Sequence, residues 1–146
     1  MSQENVESVE WLMSEDLADF AGLVRDDARW GAWIQWIAPV FDPEWEIVRR
    51  GVLDSSDVHV GFAGSRALWL NWLAPWESYT VEFEEAIDCG DQVLALSHDR
   101  ARPRGSEGEV VLAAPAGVWT FRDGKIVRFD IYEDRAEARK AVGLEE

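Results

Sequence analysis

The chain has 146 residues, 47% of them hydrophobic, and its 29 acidic residues against 14 basic ones give a net charge of −15. This is one ordinary domain, long enough to bury roughly 68–70% of its unfolded surface without staples. The negative field repels phosphate backbones and anionic lipid headgroups, which excludes nucleic acid and membrane surfaces as partners. Cys89 has no partner for an internal disulfide, and the two histidines, His59 and His98, form no zinc-ligand cluster, so no metal and no other cofactor is expected. Met1 to Glu10 carries acids where a secretory signal has a basic stretch and an apolar core, and no apolar window reaches membrane-spanning length. A cytoplasmic protein is the expectation.

Residues 3–38 read as helical. Ser14 is a plausible cap for a segment with Leu17, Phe20, Ala21 and Val24 at i, i+3, i+4, i+7, and a further segment from Asp26 or Asp27 carries the stripe Trp30, Trp33, Ile34, Ile37 before Pro39 ends it. Trp45 and Ile47, then Val58, Val60 and Phe62, suggest two short strands joined by a turn around Asp54, Ser55 and Ser56. Gly64 and Ser65 open a helix over 66–74, closed by Pro75. From Tyr79 the period becomes two: Tyr79, Val81, Phe83 and Ile87 share one face, and Thr80, Glu82, Glu84 and Asp88 the other. Strands follow at 93–101 and 109–121, and the Asp123-Gly124 turn leads into a strand over 125–133. Asp134 with Glu137 reads as a capping box opening a last helix that Gly143 stops. No repeat or linker divides the chain.

This order, helices and then an antiparallel meander, comes with specific motifs: Glu4-Asn5-Val6-Glu7, Phe41-Asp42-Pro43-Glu44-Trp45, Gly64, Cys89-Gly90-Asp91-Gln92-Val93, the tract Val118 to Val127, and Asp134-Arg135-Ala136-Glu137-Ala138. Together they resemble the SnoaL-like, nuclear transport factor 2-like family. The resemblance implies an α+β cone, a cystatin-like roll in which a curved antiparallel sheet wraps around N-terminal helices and encloses a pocket. It also implies a homodimer. It does not imply one chemistry, because the fold hosts isomerases, cyclases, dehydratases, hydrolases and domains with no activity. The 14–40 region departs from the family in its length and its tryptophans. In relatives resembling ketosteroid isomerase an acid stands two residues before the aromatic that matches Trp119. Here that position is Gly117, and the 46–49 stretch has no clear carboxylate for a general base, so steroid-isomerase chemistry is not supported.

With Trp119 facing inward, the neighbouring strands are expected to present Leu94, Leu96, His98 and Arg100, and Phe129, Ile131 and Glu133, with Trp72 added from the third helix. Trp72, Leu96, Trp119, Phe129 and Ile131 would form an apolar wall for a small hydrophobic molecule. His98, whose reference pKa is about 6.5, is the candidate for proton transfer; the plain alternative is a hydrogen-bonded structural histidine. Arg100 and Glu133 would clamp a carboxylate or form an acid/base pair that shuttles a proton with His98; the plain alternative is a salt bridge at the rim. His59 is expected to face away from the core, and Ser97, Asp99, Thr120, Arg122, Arg128 and Asp130 to form a solvated or dimer-facing outer ladder. Most of the nine tryptophans read as core, with Trp36 or Trp76 as alternatives for a dimer contact. Nucleotide-loop and nucleophile-elbow patterns are absent. Two functions remain: a ligand-binding domain of unassigned activity, or a cofactor-free isomerase, cyclase or hydrolase acting on a small hydrophobic substrate.

Overall fold

The computed structural model describes residues 2–50, 56–112 and 115–144. The helical N-terminal region is three helices, α1 (Ser2–Leu12), α2 (Phe20–Arg25) and α3 (Asp27–Ile37). The breaks fall where side chains compete for the backbone. Asp19 accepts from Gly22 N and caps α2, the role expected of Ser14, while Asp26 ends α2 and accepts from Arg29 N to start α3. A 3-10 turn at Ala38–Val40 contains Pro39 and leads into β1 (Phe41–Arg50). β2 (Ser56–Val60) follows, and the turn expected around Asp54 and Ser55 lies outside the described residues.

Helix α4 (Gly61–Leu73) starts three residues before the predicted Gly64, so Phe62 belongs to the helix and not to the strand before it. Gly61 takes φ +70°, a conformation that costs a glycine little, which lets the chain turn sharply from β2 into α4. The remaining strands are β3 (Trp76–Cys89), β4 (Gln92–Pro103), β5 (Val110–Val111), β6 (Ala116–Arg122) and β7 (Lys125–Tyr132), and α5 (Arg135–Ala141) closes the fold. The predicted 109–121 strand is thus two strands. Asp123 and Gly124 both have positive φ, as the expected tight turn requires.

The sheet runs β2-β1-β7-β6-β4-β3, with β5 on the side of β4. One contact departs from the expected antiparallel sheet: β1 pairs with β7 in parallel, because the meander returns its last strand beside the first. Asn5 of α1 is buried, and its Nδ2 donates to Gly90 O at the turn between β3 and β4, which joins two of the sequence motifs in space.

Both sheet faces carry cores. On the concave side Val93, Ala95 and Trp119 pack with Leu12, Ile37 and Leu68. On the other side Leu94, Leu96 and Val118 pack with Ala138 of α5. The register between β3 and β4 slips by one residue between Phe83 and Glu85. This bulge turns Phe83 and Ala86 toward the inner core while Ile87 packs in the outer one. The sequence reading placed Ile87 with Tyr79, Val81 and Phe83. The bulge separates them.

Two arginines tie α2 to α4 by satisfying each other's helix ends. Arg25 Nη2 donates to Leu73 O (2.9 Å) and Trp76 O (2.7 Å), and its Nη1 donates to Glu77 O (3.2 Å). Arg66 of α4 donates in return to Val24 O (2.8 Å) and Arg25 O (3.2 Å) and pairs with Asp27. Arg25→Met keeps the aliphatic stem and leaves three carbonyls without their charged donor. The expected loss of stability is about 1.5–3 kcal/mol, read as a lower urea midpoint at unchanged slope; an unchanged midpoint would show that water replaces the guanidinium at no cost.

Candidate functional site

The concave face encloses a cavity of about 120 Å³. Its wall is aromatic, with Trp33, Trp45 and Trp69 among its members, and it receives residues from α1, α2, α3, α4 and five strands. Strand register decides which residues of β4 reach it. Val93 lies opposite Trp119 and Ala95 opposite Gly117, so the inward series along β4 is Val93, Ala95, Ser97, Asp99, Ala101.

Asp99 is the one carboxyl group in this wall among the described residues, and it is only 6% exposed. Tyr79 Oη donates to Asp99 Oδ2 at 2.6 Å, and Ser97 Oγ donates to Asp99 Oδ1 at 2.9 Å. Both oxygens therefore accept a hydroxyl proton, and among the described residues no Lys or Arg forms a salt bridge with the carboxyl. Burial pushes the Asp99 carboxyl above the ordinary carboxylate range, against the pull of the two hydroxyls. Tyr79 is pushed up as well, first by burial and then by the charge and hydrogen bond of Asp99; the Trp72 N–H opposes this rise although it forms no hydrogen bond of good geometry.

Among the described residues the indole Nε1 atoms of Trp33, Trp45, Trp72 and Trp119 are buried without an acceptor, and Ser65 Oγ already donates to Phe62 O. Phe129 stacks on Trp119, with centroids 3.8 Å apart and planes 14° apart. Gly117 makes room for this stack: a Cβ there would stand 2.6 Å from Phe129 Cζ and nearer still to Cε1. The acid missing at Gly117 is thus replaced by an aromatic ring lying over the strand.

At the rim, Arg49 sits opposite Ile131 on the inner face of β1, next to Ile47 opposite Phe129. Its guanidinium carbon is 4.7 Å from the Trp72 ring centroid, and Nη2 is 3.9 Å from Glu133 Oε2.

The sequence profile of the SnoaL-like domain matches residues 6–129. The chain belongs to the SnoaL-like domain family. No curated protein matches it by sequence. Among solved structures it is similar to TerC co-crystallised with polyporic acid, at 21% identity and TM-score 0.60, covering 96% of this chain and 98% of that one. It is also similar to a putative SnoaL-like polyketide cyclase from a Jannaschia species, at 17% identity and TM-score 0.61 over 99% and 95%. A third is a hypothetical protein with a ketosteroid isomerase-like fold from Catenulispora acidiphila in complex with trimethylamine, at 14% identity and TM-score 0.56 over 86% and 90%. At these identities the likeness establishes a shared fold only.

Within this SnoaL-like fold the predicted wall residues Trp72, Trp119, Phe129 and Ile131 all border the cavity. Leu96 borders it too, but from a position whose side chain belongs to the outer cluster under α5. The predicted polar set is not brought together. His98 and Arg100 alternate with Ser97, Asp99 and Ala101 and so lie on the outer face. His98 is 58% exposed and pairs with Glu84 at 2.8 Å; Arg135 of α5 donates to the same Glu84 oxygen and holds that carboxyl below its usual range. Glu133, the residue after β7, pairs with Arg49 and not with Arg100.

The cause is a one-residue difference in parity. Val93 to Leu96 are all buried, since α5 covers the outer face, and an apolar run cannot show which face points inward. Ser97 and Asp99, assigned to the outer ladder, are the polar pole of the cavity. His59 is reversed likewise: it lies opposite the buried Ile47, and its neighbours Val58 and Val60 are exposed.

Two outcomes follow for the cavity. Because the folded state holds the Asp99 proton more tightly than the unfolded chain, its ionisation costs stability as pH rises above the unfolded value of about 3.9. Asp99→Asn, which keeps an acceptor for Tyr79, is expected to gain stability relative to wild type across that rise and to keep a constant advantage above the folded pKa. Urea unfolding as a function of pH reads this; a gap that does not vary with pH contradicts it. Gly117→Ala is expected to cost about 1–3 kcal/mol through overpacking against Phe129, and Phe129→Ala in the same chain should relieve that clash in a double-mutant cycle.

Proposed function

We propose that this SnoaL-like domain binds a small, mainly hydrophobic molecule of about one ring in the aromatic cavity whose polar pole is Asp99, Tyr79 and Ser97. The observation that carries this reading is an aromatic cavity with one buried carboxyl in its wall. Apolar walls with a few converging polar groups are what a small-molecule site requires. The size follows from the volume: at about 120 Å³ the cavity is close to an engineered apolar cavity of roughly 150 Å³ that takes up benzene.

A second reading, cofactor-free proton-transfer catalysis, draws on the raised Asp99 pKa inside the cavity. In it Asp99 takes and returns a proton while Tyr79 and Ser97 hold the carboxyl in place. His98 and Arg100 have no part in either reading.

p-Cresol is a suitable probe, being one ring with one hydroxyl. Titration is expected to give saturable shifts of the Trp33, Trp45, Trp72 and Trp119 indole N–H resonances, with Kd on the order of a millimolar or below, about −4 kcal/mol. Ala95→Phe, which fills the inner face of β4, should abolish these shifts without unfolding the protein. Absence of saturation in wild type, or unchanged shifts in the filled variant, would remove the cavity as the binding site.

A further inference from the structure

The cavity's hydrogen-bonding inventory narrows the ligand class. Among the described residues four buried indole N–H groups lack acceptors, and each Asp99 oxygen already takes a hydroxyl proton. A buried donor left unpaired costs the full desolvation of that group, so the cavity favours a body with an acceptor face, such as an aromatic ring, over one that brings further donors. The rim adds a cationic donor. Arg49 faces inward in register with Ile131, and its guanidinium carbon lies over the Trp72 ring, 4.7 Å from the centroid, a cation–π contact that restrains an otherwise flexible side chain.

The present partner of Arg49 is weak. Glu133 stands 3.9 Å away, beyond hydrogen-bond length, and its side chain is 45% exposed, so it can turn to water when a better acceptor arrives. We propose that Arg49 selects a hydrophobic carboxylic acid, bound as its anion: the carboxylate takes the Arg49 guanidinium in place of Glu133, and the apolar body enters the cavity past Trp72. The inference rests on the cavity being the binding site.

A net charge of −15 does not oppose this choice at contact range. At physiological ionic strength charges beyond about 8 Å are largely screened, whereas a guanidinium–carboxylate pair acts at hydrogen-bond distance and forms two parallel bonds.

Phenylacetate and phenylacetamide, equal in shape and different in charge, separate the possibilities when titrated at neutral pH and physiological ionic strength. Wild type is expected to bind the acid about tenfold or more tightly than the amide, the scale of one charge-assisted hydrogen bond. Arg49→Gln should erase most of that preference, costing the acid several times more than the amide, whose carbonyl loses only a weaker hydrogen bond, and Glu133→Gln should strengthen the acid severalfold by removing its competitor. Equal affinities in wild type, or an Arg49→Gln loss shared equally by acid and amide, would overturn the assignment and leave the cavity in place. If neither compound binds while p-cresol does, the acid class alone falls; if p-cresol fails as well, the cavity reading falls with it.

Discussion

The one-residue bulge between Phe83 and Glu85 decides how the β3–β4 hairpin serves two cores. Beyond it, toward the Cys89–Gly90 turn, Ile87 and Leu94 face α5; before it, Tyr79 and Val81 face the helices of the concave side. Without the slip, Tyr79 and Asp99 could not share the inner face while Leu94 and Leu96 share the outer one, because strand side chains alternate strictly. The bulge therefore creates the cavity's polar pole as well as the docking surface for the last helix.

That pole sits in an apolar setting that makes it matter. A carboxyl surrounded by tryptophans loses hydration, so its two hydroxyl partners hold it in one orientation and its proton affinity rises. The stack of Phe129 on Trp119 over Gly117 closes the wall beside it, and the reciprocal arginine caps hold α2 and α4 across the cavity's helical side. Rim and interior then differ in character: a half-exposed cation with a loose counter-ion outside, neutral donors and one carboxyl inside.

Much of the fold was legible in the sequence because its signals are local: the period-two strands, the Asp123–Gly124 turn, the start of α5 at Asp134 and the SnoaL-like motifs. The apolar wall was legible for the same reason, since Trp72, Trp119, Phe129 and Ile131 needed only the right strand or helix face. The polar site was not. It depends on the parity of β4, and the run Val93-Leu94-Ala95-Leu96 is buried on both faces. The trace of the answer lay in Glu84 and Glu85, two adjacent exposed acids that interrupt the alternation after Phe83. An uninterrupted reading carries the Tyr79 face through to Ile87 and sends His98 inward in place of Asp99. Arg49 was overlooked because β1 pairs in parallel with β7, a long-range contact with no local signature.

Direct titration of the Asp99 side-chain carboxyl by carbon-detected NMR, with and without p-cresol, tests the central claim most closely. The account predicts a midpoint above that of the exposed aspartates and a change in that midpoint when the probe is bound. An ordinary midpoint, unmoved by the probe, would mean that Asp99 is hydrated and that the polar pole of the cavity does not exist as described.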